Sequence, residues 1–174
     1  MQERPILFSA PMVRAILNGR KTQTRRAVKP AKHPLDAEIK AGTGAVNCPF
    51  GHKGDRLWVR ETWNMFDPWP GFFYAADDHS FGVGEYDDPD HIEPHNMHWR
   101  PSIHMPRIAS RITLVITGVR IEHLQDISAA DCLAEGVAPT DDPVAEYRSL
   151  WESLYGAGSW AANPHVFVIE FVRG

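Results

Sequence analysis

Between positions 21 and 26 the chain gathers one amine of tunable pKa, Lys21, two hydroxyls, Thr22 and Thr24, and a permanently charged guanidinium, Arg26. That set suits a pocket that grips a phosphate or polarises a carbonyl. Extended as a strand, the segment puts Thr22, Thr24 and Arg26 on one face and Lys21 and Arg25 on the other; a tight turn would instead gather Lys21 and Thr24. The plain alternative is a solvated basic turn after a helix end, which helix-end electrostatics favour without any ligand.

Other chemistries are poorly represented. Gly19-Arg20-Lys21-Thr22 resembles the end of a phosphate-binding P-loop, but Arg20 stands where glycine is required and no glycine-rich loop precedes it. There is no G-x-S-x-G elbow, no H-E-x-x-H helix and no G-x-G-x-x-G fingerprint. Nine histidines raise the question of a metal, since His91, His95 and His98 lie beside Asp87, Asp88 and Asp90, and Cys48 lies near His52. Pro89 and Pro94 interrupt the histidine cluster, and neither group has four ligands at a recognised spacing, so neither a metal nor another cofactor is expected. Solvated loop histidines are the alternative.

The elements that must position the basic segment follow from pattern. Ile6-Leu7-Phe8 reads as a strand and Met12 to Leu17 as two helical turns, started near Ser9 and Pro11 and stopped at Asn18-Gly19. Residues 27–54, rich in Pro and Gly, read as a long irregular insertion. Arg56 to Trp63 alternates, with Leu57, Val59 and Glu61 on one face and Arg56, Trp58, Arg60 and Thr62 on the other. Phe72 to Ala75 suggests another strand, and 77–98 an acidic surface loop without hydrophobic periodicity. Ser110 to Leu124 reads as a long strand with a bulge at Gly118, Ser128 to Glu135 as a short capped helix closed by Gly136, Pro143 onward as an amphipathic helix through Val144, Tyr147, Leu150, Trp151 and Leu154, and His165 to Val172 as a buried strand. Strands outnumber helices without regular interleaving, so the expected class is α+β with a small, curled, mostly antiparallel β-barrel, flanked by short helices, in one domain over 1–174.

Composition bounds the setting. The 174 residues are one domain in size, carry 2 Cys that make no disulfide framework, and contain no run of about 20 apolar residues that would span a membrane. A soluble, cytoplasmic protein with no obligatory protein partner is expected. The net charge of -4 hides an uneven distribution: residues 1–60 carry 12 basic and 4 acidic groups, 61–98 carry 9 acidic and no Lys or Arg, and 99–174 carry 6 basic and 9 acidic. Such asymmetry suits an anionic ligand on a locally basic face, with the acidic block as a rim that limits binding to long polyanions. Mutual neutralisation of the blocks across the fold is the alternative.

The segment Gly19 to Arg26 resembles the G-x-K-T-x-T-x-R signature of ASCH-domain proteins, a branch of the PUA-like β-barrel superfamily associated with RNA and modified nucleosides. The resemblance extends to the basic-aromatic strand after Gly54-Asp55, to Ala134-Glu135-Gly136, and to the closing Ile169-Glu170-Phe171. The whole string, with Pro101 to Pro106 and Asn163-Pro164, is similar to ASCH proteins common in bacteriophages and prophages. One class of that family hydrolyses N4-acetylcytidine to cytidine and carboxylate with a lysine, a threonine and a glutamate, which fall here on Lys21, Thr24 and Glu135.

The resemblance implies a metal-independent amidohydrolase in which a desolvated Lys21 activates Thr24 or a water, Glu135 passes the proton to the departing amine and Arg26 holds the oxyanion. Thr22, Arg25, Arg26, Arg56, Trp58, Arg60 and Trp63 are the candidate substrate-binding residues, and Trp58, Trp63 and Trp69 offer faces for base stacking or, alternatively, core packing. Two further readings stay open: a non-catalytic module for RNA or single-stranded nucleic acid, serving phage regulation or counter-defence, and a ribonuclease.

Overall fold

The computed structural model describes residues 1–28, 48–65, 71–77 and 98–174. A five-stranded sheet in the order β1-β3-β6-β7-β2 is built from β1 (Glu3–Leu7), β2 (Gln23–Ala27), β3 (Arg56–Arg60), β6 (Thr113–His123) and β7 (His165–Arg173), and β4 (Trp63–Met65) pairs with β5 (Phe72–Tyr74) in a second sheet. β1 runs parallel to β3; the other pairings in both sheets are antiparallel. Three α-helices accompany them: α1 (Ala10–Leu17), α2 (Ala129–Ala134) and α3 (Pro143–Tyr155).

The mixed α+β character is as expected, but the sheet is not closed into a barrel. Among the described residues β1 pairs only with β3 and β2 only with β7, so both are edges. Where a barrel would need a backbone ladder, the Arg26 Nη2 donates across to the Leu7 carbonyl at 2.8 Å. A side chain thus bridges the two edges near the site.

Strand alternation explains the two layers. In β7, Phe167, Ile169 and Phe171 point into a core with Ile6, Leu57, Val59, Leu114 and Ile116, capped by Val13 and Ile16 of α1. Val166 and Val168 point the other way, onto Cys132 of α2 and Tyr147 and Trp151 of α3. The register slips between Ile116 and Gly118, the bulge expected from the glycine. A side chain at Gly118 would put its Cβ 2.7 Å from a Glu170 carboxylate oxygen.

Helix boundaries follow their caps. Ser128 accepts from the Asp131 amide while Asp131 accepts from the Ser128 amide, a reciprocal pair that starts α2. Asp142 accepts from Ala145 to start α3, with Pro143 at its first position. The end of the first insertion is anchored, since Cys48 is buried in the main core and the Gly54 amide donates to the Ile116 carbonyl. Residues 29–47 and 78–97, which hold most of both expected insertions, the cluster His91 and His95 and much of the acidic block, lie outside the described residues, as do 66–70 with Trp69. No helix among the described residues is long and apolar enough to cross a membrane.

Candidate functional site

The turn that ends α1 delivers the basic segment. Gly19 takes φ +71°, a left-handed conformation that glycine adopts at no steric cost, and the amides of Arg20 and Lys21 both donate back to the Ala15 carbonyl. The Thr22 amide then donates to the Ala134 carbonyl at the end of α2, and β2 begins. Gly136, at φ +93°, lets the end of α2 lie against this turn: a Cβ there would stand 3.0 Å from the Ala15 Cβ and 3.1 Å from the Lys21 Cβ.

Glu135 is thereby brought onto Lys21. The ammonium donates to Glu135 Oε2 at 2.8 Å and to the Glu135 backbone carbonyl at 2.7 Å, and both side chains are almost wholly buried. Burial lowers the Lys21 pKa, Glu135 opposes that fall by charge and hydrogen bond, and the guanidinium groups of Arg26 and Arg25 add to it. The Phe8 ring centroid lies 5.5 Å from Lys21 Nζ and 5.1 Å from the Arg26 guanidinium carbon, within cation–π range of both.

Pairing with β7 fixes the faces of β2. Thr24 lies opposite Ile169 and Arg26 opposite Phe167, so both point to the side of the main core; Arg25 lies opposite Val168 and points toward α2 and α3. The strand alternation expected from sequence is present, yet Lys21, Thr24, Arg25, Arg26 and Glu135 all line one recess. They meet because β2 is an edge strand, so side chains from its two faces reach around the same free edge. The recess is half-open to solvent.

Within it, Arg26 Nη1 donates to Thr24 Oγ1 at 2.9 Å. Arg25 is the most buried of the set, its side chain fully enclosed. It reaches Glu135 Oε1 at 3.3 Å, Asp131 Oδ2 at 3.4 Å and, closest, Glu122 Oε1. Arg120 continues the chain of charges to Glu122, Asp131 and Glu170. Glu135 therefore has a different cation on each oxygen, and Arg25 is committed to three carboxylates of the protein itself.

The remaining sequence candidates sit elsewhere. Thr22 is exposed beside the recess. Arg56 is exposed on β3, opposite Glu3. Arg60 stacks over Trp58, with 5.0 Å from guanidinium carbon to ring centroid, and donates through Nε to the Met105 carbonyl; Arg107 lies 5.9 Å from the same Trp58 ring. Trp63 is buried against Phe72, Tyr74, Met105 and Ala109, with Arg100 over its ring. None of Arg56, Trp58, Arg60 and Trp63 lines the recess. No cluster of His, Cys, Asp and Glu suited to a metal is found among the described residues.

One wall was not anticipated. Tyr147, Leu150, Trp151, Leu154 and Tyr155 of α3 supply an apolar part of the lining, and Met12 of α1 lines the recess as well. The helix periodicity read from the sequence includes Tyr147, Leu150, Trp151 and Leu154 but not Tyr155, and nothing in that spacing separates a core stripe from the lining of a recess.

No family model matches the chain, and no curated protein does. Among solved structures, one that it is similar to is the ASCH domain from Lactobacillus crispatus JV V101, at 11% identity and a TM-score of 0.49, over 99% of this chain and 79% of that one.

Proposed function

We propose that this protein is an ASCH-type amidohydrolase that removes the acyl group from a modified pyrimidine nucleoside such as N4-acetylcytidine. The observation that carries the reading is the buried pair of Lys21 Nζ and Glu135 Oε2 at 2.8 Å, in a recess it shares with Thr24 and Arg26. The resemblance of the Gly19-to-Arg26 segment and of Ala134-Glu135-Gly136 to the ASCH signatures supports it, because these two stretches, far apart in sequence, meet in that pair.

In this reading a neutral Lys21, favoured by burial and by the two neighbouring guanidinium groups, takes a proton from a water or from Thr24 as the oxygen attacks the acyl carbonyl. The carbonyl becomes an oxyanion beside Arg26, whose guanidinium is already fixed at Thr24 Oγ1. The proton passes from Lys21 to Glu135 along their hydrogen bond and on to the exocyclic nitrogen, the C–N bond breaks and cytidine leaves, together with the carboxylate when water attacks, or with the acyl group left as an ester on Thr24 when Thr24 attacks. If Thr24 is the attacking group, a water repeats the sequence to free the enzyme. The step needs neither oxidant nor metal.

Incubation with N4-acetylcytidine and measurement of released cytidine tests it. Lys21→Met and Glu135→Gln should each lower kcat by about 10²- to 10⁴-fold, the span of a lost proton-transfer group. Absence of turnover at micromolar wild-type protein, with salt-sensitive binding of an oligonucleotide, would replace the hydrolase by a nucleic-acid binding module.

A further inference from the structure

The recess is divided by chemistry. Lys21, Thr24, Arg26 and Glu135 supply the polar part of its lining, while Leu150, Leu154 and Tyr155 of α3 supply an apolar part. The reaction proposed above uses the first part and leaves the second without a role.

Tyr155 is the last residue of α3, which ends at the C-cap Gly156. Its ring stacks on Trp151, with centroids 4.1 Å apart and planes inclined by 25°. Trp151 is itself packed among Tyr147, Val166 and Val168 at 2% exposure, so it backs Tyr155 rigidly. Tyr155 nevertheless keeps 44% of its surface exposed, and Leu154 beside it 61%, at the margin of the recess. An aromatic ring held on one side by a buried indole and open elsewhere has already given up its rotamer freedom. Stacking a second ring on it therefore costs little ordering entropy.

We propose that Tyr155 is the base-stacking residue of this site: it holds one planar heteroaromatic ring, the pyrimidine, against the apolar wall while the acyl group lies toward Lys21 and Glu135. The inference rests on the reading of the recess as a nucleoside site and adds the residue that selects an aromatic ring over an aliphatic amide.

The experiment measures calorimetric binding of cytidine and of N4-acetylcytidine to wild type, Tyr155→Phe and Tyr155→Ala, with kcat and KM alongside. Tyr155→Ala should weaken both ligands by about 10- to 100-fold, the worth of one base–aromatic stack. KM should rise by the same factor with kcat unchanged, because stacking is equal in ground and transition states. Tyr155→Phe should stay within about twofold, since the ring and not the hydroxyl acts. Equal cytidine affinity in all three proteins overturns the inference. Cytidine binding that depends on Tyr155, without any turnover, sustains it and overturns the hydrolase; turnover with an unchanged KM in Tyr155→Ala does the reverse. If wild type binds neither ligand, both fall.

Discussion

Replacing Arg25 by methionine keeps most of the side-chain volume and removes the guanidinium that three carboxylates share. Arg25 is fully enclosed and bonded to Glu122, Asp131 and Glu135. Removing one partner of a buried ion pair costs about 3–5 kcal/mol, because the partner charge stays behind uncompensated. Here each carboxylate keeps a second partner: Glu135 has Lys21 at 2.8 Å, Glu122 has Arg120 at 2.9 Å, and Asp131 has Gln23 at 3.0 Å as well as Ser128. The cost should therefore fall at the low end, about 3 kcal/mol. For a chain of this length that lowers Tm by about 6–12 °C. Thermal unfolding followed by circular dichroism at neutral pH measures it, with Arg148→Met as a control: Arg148 is exposed, pairs among the described residues with Glu152 at 3.5 Å, and should cost under about 1 kcal/mol. Adding Glu122→Gln to Arg25→Met should cost less than the two single changes added, since they share an ion pair. A Tm for Arg25→Met within about 2 °C of wild type would refute the claim that the enclosed Arg25 guanidinium holds these carboxylates together.

The other expectations are briefer. Gly136→Ala should cost about 1–3 kcal/mol and displace Lys21 from Glu135, since φ is +93° and the new Cβ meets Ala15 and Lys21 at 3.0 and 3.1 Å; Gly158→Ala, at φ +81° in open space, should keep activity and pay only backbone strain. Burial pushes the Asp131 carboxyl up, but hydrogen bonds from Ser128 and Gln23 and the Arg25 charge outweigh it and bring it from 3.8 to about 2. A depressed carboxylate contributes stability above its unfolded value and loses it as pH falls, so up to about 2 kcal/mol should disappear between about pH 4 and 2, and an acid titration of Asp131→Asn should lack that component. Lys21, also depressed, works in the opposite sense at the alkaline end: the unfolded chain binds its proton more tightly, so native stability should rise with pH between the lowered value and that of free lysine. The rate of the proposed hydrolysis should rise along the same limb, and Arg25→Met, by removing a neighbouring cation, should move that limb to higher pH. Cys48 and Cys132 are fully buried, and burial raises the Cys132 thiol to about 11, so a disulfide reagent at pH 8 should find no reactive thiol until the protein is denatured.

What the sequence disclosed was local. The α1 stop at Asn18-Gly19, the Ser128 and Asp131 capping pair, the Gly118 bulge and the alternation of β3 each depend on a few neighbouring residues, and each is found. The closed barrel was not disclosed correctly, because closure depends on whether two edge strands meet, and no residue of β1 or β2 encodes that by itself. Glu61 illustrates the same limit. Alternation expected this carboxylate on the aliphatic face of a strand running to Trp63, but β3 ends at Arg60 and Glu61 lies buried just beyond it, where Arg111 grips both of its oxygens at 3.0 Å. The α3 wall escaped notice because periodicity reports which residues share a face and not whether that face meets core or ligand.

The charge arithmetic changes most under the structure. The basic excess of the first sixty residues suits a locally basic face for an anionic ligand, yet several of those cations are engaged internally. Arg25 is enclosed by carboxylates, Arg4 donates to the Pro49 carbonyl and to Gln2, and Arg60 donates to the Met105 carbonyl while stacking on Trp58. Lys21 has its charge matched by Glu135. Arg26 differs, since among its contacts are two backbone carbonyls and the Thr24 hydroxyl, all neutral acceptors. A guanidinium held by neutral partners beside the recess keeps its charge available to the oxyanion proposed to form there, and a single such charge attracts a long polyanion weakly, because polyanion affinity grows with the number of phosphates neutralised together. The internal pairing of Lys21, Arg4, Arg25 and Arg60 therefore fits the proposed small ligand with one developing negative charge better than a large one with many fixed charges.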